Sequence, residues 1–244
     1  MRKQWWKILT VLLLGYTLVA GLLAGVPRLP ILNETIRALH FHVPMWFGMF
    51  ILFTVSVVYS IKYLRNPLRN NDIFAIEFAN TGILFGLLGI TTGSLWAKFA
   101  WGTFWTTDPK LNAAAIALLI YAAYFILRNS LTDEQQRAKV GAVYNIFAYA
   151  TLVPLLFILP RLTDSLHPGN GGNPGFSSYD LDSQLRMVFY PAVVGWALLG
   201  VWLTSLRIRL QHIKDKINER MEEEMFNAGH RRTADDASTV ERSV

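Results

Sequence analysis

Six apolar runs separated by short polar segments limit what this chain can fold into more than any other feature of it. The runs cover residues 8–26, 43–61, 78–95, 111–127, 140–160 and 187–206. Each is about as long as a helix that crosses a hydrocarbon core of roughly 30 Å. Of all residues 52% are hydrophobic and only 16% are charged, which is unusual for a soluble domain. The sequence therefore predicts an all-α fold, a polytopic membrane helix bundle with six transmembrane helices.

Two of the runs allow a second interpretation. The first follows Arg2, Lys3 and Lys7 and ends near small residues, a pattern also found in cleaved signal peptides. The fourth is the shortest, and a buried helix of a soluble protein can have that length. The first run is long for a signal peptide, and five runs of full length accompany the fourth. Both are therefore predicted to be spans.

Lysine and arginine are more frequent in one alternating set of the segments between the runs. Residues 27–42, 96–110 and 161–186 contain two basic residues each, whereas the other segments contain three or more. Because basic residues resist translocation, these three segments are predicted to be outer loops and both termini cytoplasmic. Residues 1–206 then form the transmembrane domain, and 207–244 a cytoplasmic amphipathic helix and polar tail. That tail has eight basic and eight acidic residues, which argues against binding of nucleic acid. The basic residues beside the spans are better explained by topology and membrane lipid.

Several classes of site are excluded by what the sequence lacks. The chain has no cysteine, so it can form neither a disulfide nor a thiolate metal site nor a covalent bond to haem. It has no P-loop, dinucleotide-binding fingerprint, metalloprotease motif or serine elbow. No run has an ionisable residue in its middle, which argues against an ion-coupled transporter. Glu77, at the edge of the third run, is expected to snorkel or to cap.

An aromatic-rich segment lies between the third and fourth runs. Five aromatic residues occur within ten positions: Trp96, Phe99, Trp101, Phe104 and Trp105. They are typical either of an interfacial aromatic belt or of a platform for a large flat apolar ligand. Trp101 and Trp105 would share a face if this loop were locally helical. Asp108 followed by Pro109 is the pattern of an N-cap and first helical residue, so the fourth helix is predicted to begin there.

Three histidines are predicted to lie on the same side of the membrane as these aromatics. They are His40, His42 and His167, and each by itself is typical of a surface residue. Together they allow another interpretation, because two neutral imidazoles on opposite sides can ligate the iron of a planar macrocycle. The glycine-rich segment after His167 would let its loop close over such a ligand, although it is equally consistent with a plain flexible loop.

Three motifs in order resemble the cytochrome c biogenesis protein C family, CcmC, of the Trp-rich "WWD" haem-handling group that also includes CcmF and CcsA. The family signature Trp-Gly-x-x-Trp-x-Trp-Asp-x-Arg/Lys-Leu aligns with residues 101–111, and its His-Val-Pro motif with residues 42–44. A Leu-His-x-Gly setting aligns with residues 166–169. Thr107 stands where the family has its third tryptophan, so the predicted platform has less indole surface. His40 has no counterpart in these motifs.

The resemblance implies a haem-binding delivery and assembly protein of the bacterial cytoplasmic (inner) membrane, with its haem site on the periplasmic side. Such a protein binds haem b transiently and non-covalently and passes it to the haem chaperone CcmE, beside the CcmA/CcmB ABC-type complex and CcmD. It is implied not to be an enzyme, which leaves open whether it assists covalent transfer to the chaperone. By position, His42 and His167 are the implied axial ligands. The implied haem platform consists of Trp101, Gly102, Trp105, Asp108 and Leu111, with Trp96 added by proximity.

Charge suggests that Lys98, Lys110 or Arg161 meets the haem propionates. Two other functions remain open from the sequence. One is a small-molecule permease with an aromatic belt. The other is a haem lyase of the same group, although such relatives tend to be longer.

Overall fold

A computed structural model of the chain describes residues 4–28, 32–163, 165–167 and 181–241. Within these ranges the secondary structure is helical and contains no strand. The helices are α1 (Trp5–Leu23), α2 (Leu39–Arg65), α3 (Arg69–Trp101), α4 (Pro109–Ser130), α5 (Glu134–Val153), α6 (Leu159–Leu162) and α7 (Ser183–Glu241). A 3₁₀-helix, Asn33–Ala38, leads into α2, and a π-helical turn, Pro154–Ile158, joins α5 to α6.

Six helical stretches are long and apolar enough to cross a membrane, which confirms the six-span prediction. They are Trp5–Leu23, Asn33–Arg65, Arg69–Trp101, Pro109–Ser130, Glu134–Ile158 and Ser183–Asn227. The short fourth run is therefore part of a helix of full spanning length. On which side the termini lie stays a prediction. Contacts divide the chain into two units, Met1–Thr204 and Ser205–Val244.

The helices extend beyond the apolar runs, so the loops between them are shorter than the sequence indicated. His42 lies in the first turns of α2, and Trp96 and Trp101 belong to α3 and not to a loop. Polar residues end a hydropathy run without ending the backbone hydrogen bonding of a helix. α3 ends only at Gly102, whose φ of 79° is left-handed and whose N–H donates to the Lys98 carbonyl. The condition under which Trp101 and Trp105 would share a helix face is not met, because Trp105 lies past this end.

A row of glycines along α3 receives side chains from α2 and α4, since small residues at intervals of three and four let a neighbouring helix approach closely. A Cβ added at Gly82 would lie 2.6 Å from the Phe53 ring, and one at Gly89 would lie 2.9 Å from the Trp46 ring. Phe53 in turn stacks on Tyr121 of α4, with ring centroids 3.6 Å apart. The row consists of Gly82, Gly86, Gly89 and Gly93. These contacts set how closely α2 and α3 approach each other.

Buried polar contacts tie α5 to α2. Asn145 donates hydrogen bonds to Ser56 (2.7 Å) and Ser60 (2.8 Å), and Ser56 donates to the Ala75 carbonyl of α3 at 2.6 Å. All three side chains are fully buried. Hydrocarbon offers these polar groups few other hydrogen-bond partners, so the contacts favour one arrangement of the three helices.

An ion pair joins α3 to α4 at the end of the bundle away from the aromatic segment. Arg128 donates to Asp72 at 2.6 Å, and both side chains are almost fully buried. Glu77 is also buried, and it accepts a hydrogen bond from Asn80 at 3.3 Å. The expectation that Glu77 snorkels or caps is therefore wrong, because its position on α3 faces the helical core.

We predict that Gly82→Ala destabilises the fold whereas Gly15→Ala does not. At Gly82 the new methyl group would overlap the Phe53 ring, and overpacking of this kind costs about 1–3 kcal/mol. Nothing lies within 4 Å of the corresponding position at Gly15, where alanine should raise helix stability by up to about 1 kcal/mol. Thermal unfolding of the two variants in the same detergent measures the difference. Equal shifts in Tm would contradict the packing described for α3.

Candidate ligand-binding site

Four segments that carry the predicted site residues meet at one end of the bundle. They are the start of α2, the end of α3, the start of α4 and residues 165–167 after α6. Consecutive antiparallel spans bring the start of one helix next to the end of the previous one. Residues far apart in sequence are thereby placed side by side.

His42 is held in one orientation by α3. Its Nδ1 lies 2.9 Å from the Gly89 carbonyl oxygen and 3.2 Å from the Thr92 hydroxyl. A carbonyl oxygen only accepts, so Nδ1 carries the proton and Nε2 carries the lone pair. Gly93 leaves the space for the ring, since a Cβ at this position would clash with the imidazole. His42 is therefore a buried neutral imidazole with its lone pair on Nε2, the ring atom that could ligate a metal.

Two tryptophans stand edge-on to the His42 ring. The ring centroids of Trp96 and Trp46 lie 5.9 Å and 6.3 Å from that of His42. The Trp96 indole N–H donates to the Thr35 hydroxyl at 3.1 Å, which fixes the rotation of this side chain. The indole also packs against an apolar cluster that includes Ile36. Trp96 thus belongs to the wall around His42.

Asp108 connects the start of α4 with the segment after α6. As the N-cap it accepts from the backbone N–H groups of Lys110 (2.9 Å) and Leu111 (3.4 Å), as predicted. Its other carboxylate oxygen accepts from the Ser165 hydroxyl at 2.8 Å and from the Leu166 N–H at 2.6 Å. The side chain is completely buried, so it contacts these groups and not an open surface.

His167 completes this cluster. Its Nδ1 lies 2.9 Å from Asp108 Oδ1. The carboxylate accepts the Nδ1 proton, so the lone pair of the neutral ring is on Nε2. The Trp101 ring meets the His167 ring edge-on, with centroids 5.0 Å apart. The His167 side chain is 27% exposed, so solvent reaches it more easily than it reaches His42.

Burial and neighbouring charges set the charge states at this cluster. Burial lowers the pKa of His167 below 6.5; Asp108 opposes this shift, and the positive charge of Lys110 adds to it. Burial alone would raise the pKa of Asp108. The hydrogen bonds from Ser165 and Leu166, together with His167, outweigh burial, and this pKa lies below 3.8. At neutral pH the pair is therefore an anionic carboxylate and a neutral imidazole.

The remaining predicted residues occupy different places. Trp105 lies in the loop, 41% exposed, and its indole N–H donates to Asn112 at 3.2 Å. Gly102 is the turn that ends α3, and Leu111 is buried in the core beneath the loop. Phe99 and Phe104 are exposed beside Trp105 along the chain. The structure thus brings Trp96 next to His42 and Trp101 next to His167, and leaves Trp105 nearer to solvent.

Several residues that fix the site were not found from the sequence. Thr35, Thr92, Asn112 and Ser165 each bond a predicted site residue through a hydroxyl or amide. Such polar residues are common in any loop or helix end and give no signal by themselves. The glycine spacing on α3 is typical of close helix approach, but it does not indicate that His42 fills the space at Gly93.

Other candidates lie outside the site or outside the described residues. His40, predicted as a surface residue, is buried against Gly21 of α1. Lys98 donates to the Gly102 carbonyl at 2.9 Å. The side chain of Arg161 and the glycine-rich segment 168–180 are outside the described residues.

The donor set fits an iron macrocycle better than a bare metal ion. In the described part of the chain no group of three or more metal-ligating side chains occurs. Two imidazoles with tethered Nδ1 atoms remain at this end of the bundle. Two imidazole nitrogens with aromatic rings beside them could serve as the axial ligands of haem, whose equatorial ligands come from the porphyrin.

Comparison with known proteins identifies the family. The sequence model of the family CcmC, heme exporter protein C, matches residues 1–225. The chain belongs to the heme exporter protein C family. The heme exporter protein C of Haemophilus influenzae is 26% identical over 213 residues, which cover 85% of this chain and 83% of that protein. That of Bradyrhizobium diazoefficiens is 29% identical over 217 residues, covering 87% and 80%. Family membership gives the chain a role in haem handling.

A shorter similarity extends to another group. The cytochrome c biogenesis protein CcsA of Pelargonium hortorum is 36% identical over 93 residues, which cover 38% of this chain and 29% of that protein. The heme exporter match covers most of the chain and therefore defines the family, whereas the CcsA similarity is local.

We predict that His167 makes the stability of the protein depend on pH. The folded pKa of His167 is lower than the ordinary 6.5, so the unfolded chain binds this proton more tightly. The contribution of His167 to the free energy of unfolding is complete above pH 6.5, and it is lost as the pH falls towards the folded pKa. Between about pH 7.5 and 5.5, Tm should therefore fall less in His167→Gln than in the unsubstituted protein.

His212→Gln is the control, because it removes an imidazole from α7 outside this site. If acidification lowers the Tm of His167→Gln and of His212→Gln by the same amount, the titration of His167 is not coupled to folding.

Proposed function

We propose that this protein binds haem at the end of the bundle that carries His42 and His167, and delivers it to a haem chaperone for cytochrome c maturation. Haem is the cargo, and its iron takes one axial nitrogen from each histidine. The chain acts as a binding and delivery protein. Haem b, bound without a covalent link, fits a chain that has no cysteine.

The observation that carries the proposal is the matched state of the two imidazoles. His42 donates from Nδ1 to a backbone carbonyl, and His167 donates from Nδ1 to a carboxylate. Histidines that ligate metals in proteins characteristically make such bonds, which fix the ring and raise the basicity of Nε2. Two histidines held in this way at one end of a bundle are hard to attribute to packing alone.

Aromatic side chains beside both histidines support a flat, apolar ligand. Trp96 and Trp46 stand against His42, and Trp101 stands against His167. Trp105, with its exposed indole, can add to this surface from the loop. We infer that Lys110, which follows Asp108 at the start of α4, pairs with a haem propionate. A permease with an incidental aromatic belt would need none of these pairings.

The distribution of charge supports a haem site on the periplasmic side of the cytoplasmic membrane. The opposite ends of α2 and α3 carry Lys62, Arg65 and Arg69, and the adjoining ends of α4 and α5 carry further basic residues, Arg128, Arg137 and Lys139. Basic residues favour the cytoplasmic side, so the histidine end would face outward and both termini inward.

The acceptor and partners are proposed from the family resemblance. They are CcmE as the acceptor of haem, with the CcmA/CcmB ABC-type complex and CcmD alongside. The exposed Phe99, Phe104 and Trp105 offer an apolar rim through which an acceptor could approach. Delivery requires release, and the partly exposed His167 is better placed to let go of iron than the buried His42.

We predict that His42→Ala and His167→Ala each change the Soret band of the purified protein and reduce its haem content, and that the double variant retains almost none. Each variant removes one axial nitrogen. Added imidazole should restore the spectrum of His167→Ala more readily than that of His42→Ala, because the His167 site is closer to solvent.

His212→Ala is the control for loss of a histidine elsewhere. Unchanged haem content and spectrum in the double variant would rule out these two residues as ligands.

We predict that Asp108→Asn weakens haem binding by about 10–100-fold, the range found when such outer partners of metal ligands are removed. Asparagine caps a helix as well as aspartate does, so α4 should remain intact while His167 loses its anionic partner. The measurement is a haem titration followed by absorbance.

Asp133→Asn is a matched control. Asp133 is the N-cap of α5 and accepts from the Gln136 N–H at 2.7 Å, far along the chain from either histidine. Equal haem affinity in the two variants would mean that Asp108 acts only as a cap.

A further inference from the structure

An apolar groove runs along the outside of the bundle between α4 and α5. Its volume is about 480 Å³, within the range of ligand sites in proteins. Leu127 of α4 and five residues of α5 line it: Lys139, Val140, Val143, Tyr144 and Phe147. Lys139 is its charged member and the one nearest to the start of α5, at the end of the bundle away from the histidines. The groove is therefore apolar along its length and basic at one mouth.

Aromatic packing holds the floor of this groove in place. The ring of Tyr144 stacks with that of Tyr124 in α4, with centroids 6.3 Å apart, and Tyr124 is almost fully buried. The ring of Phe147 meets that of Tyr144 edge-on, with centroids 5.9 Å apart. Val143 and Phe147 are 56% and 55% exposed, so they form an open rim. The groove is thus preformed and open towards the surrounding membrane.

The length of the groove matches one leaflet of a bilayer. From Lys139 to Phe147, α5 rises by about 12 Å at 1.5 Å per residue. Half of a hydrocarbon core of roughly 30 Å is about 15 Å. Because the apolar run of α5 begins at residue 140, Lys139 lies where the hydrocarbon begins. A single acyl chain can therefore lie along the groove while the headgroup of the same lipid meets Lys139.

Lys139 differs from the basic residues around it in having no carboxylate partner. Arg128 donates to Asp72 at 2.6 Å, and Arg137 pairs with Glu134 at 3.1 Å. The exposed side chain of Lys139 makes no ion pair or hydrogen bond with any residue that the structure describes. A lipid phosphate can pair with this ammonium group, whereas the choline of a zwitterionic lipid would be repelled by it. The charge therefore favours a lipid with net negative charge.

We propose that the groove between α4 and α5 binds one anionic phospholipid, with an acyl chain along Val143, Tyr144 and Phe147 and the phosphate on Lys139. This goes beyond haem delivery and does not depend on it. A lysine at the edge of a span can reach the headgroups without selecting any of them. Here the groove holds the chain of one lipid beneath the ammonium group, and burial of the exposed apolar rim adds to the ion pair.

The absence of cysteine from the chain allows a fluorophore to be placed at one chosen position. Full-length protein with Phe147→Cys carries the label at the inner end of the groove. Leu84→Cys on α3 is the reference position, since Leu84 is also exposed, at 45%. The two residues lie at similar depths in apolar runs that begin at residues 78 and 140.

Each labelled protein is placed in vesicles of phosphatidylcholine and phosphatidylglycerol in equal amounts, with bromine on the acyl chains of one lipid or of the other. Bromine quenches the fluorophore on contact, so the ratio of the two quenching efficiencies reports which lipid lies beside the label. At position 147, brominated phosphatidylglycerol should quench about two- to five-fold more than brominated phosphatidylcholine, the ratio that one exposed ion pair gives. At position 84 the two should quench equally.

Three variants in the Phe147→Cys background test the role of the lysine. Lys139→Gln should abolish the preference, and Lys139→Arg should keep it. Because Lys139 is exposed and unpaired within the described residues, neither change should disturb the fold. Lys62→Gln is the matched control and should leave the preference unchanged. It removes a lysine at the same end of the bundle, but one on α2 whose Nζ lies 4.5 Å from the centre of the Tyr59 ring.

Three results would overturn the proposal. One is equal quenching by the two lipids at position 147, which would indicate unselective boundary lipid. Another is a preference for phosphatidylglycerol that survives Lys139→Gln, which would place the selecting charge elsewhere. The third is protection of position 147 from both brominated lipids, which would indicate that a protein surface covers the groove.

Discussion

The buried carboxylate of Asp108 is the contact on which the site depends most. It caps α4 through Lys110 and Leu111, and it also accepts from Ser165, Leu166 and His167. One side chain therefore fixes both where the fourth span begins and where a histidine 59 residues later is placed. An anion buried this deeply is costly unless its hydrogen bonds are complete. That cost couples the order of the loop to the charge of the carboxylate.

His42 is positioned by a different physical device. Its ring fills the space beside Gly93 of α3, and its Nδ1 donates to the carbonyl of Gly89, also in α3. The glycine row that lets α2 approach α3 thus also admits the imidazole. The two histidines are held by unlike means, one by backbone packing inside the bundle and one by a side chain at its rim. This difference is suited to the proposed delivery of haem, which requires both retention and release.

The two ends of the bundle have contrasting chemistry. The histidine end carries aromatic rings and neutral imidazoles, whereas the other end carries the buried Asp72–Arg128 pair and exposed basic residues. Membership of the heme exporter protein C family gives the chain a role in haem handling, and the histidine end is where we propose that haem binds. The spans between them are held by helix packing and by a few buried polar contacts, such as those of Asn145 with Ser56 and Ser60.

The sequence by itself determined the six spans, the start of α4 at Asp108 and the motif residues around which the site is built. Hydropathy, capping and motif spacing are local properties that neighbouring residues decide. The sequence alone did not indicate that α3 ends at Trp101, that Trp105 lies in a loop or that Glu77 is buried. Only the tertiary structure decided which atom of each imidazole is tethered, because Gly89 lies 47 residues from His42 and Asp108 lies 59 residues from His167. Such contacts depend on how helices pack, and no local pattern in the chain encodes that packing.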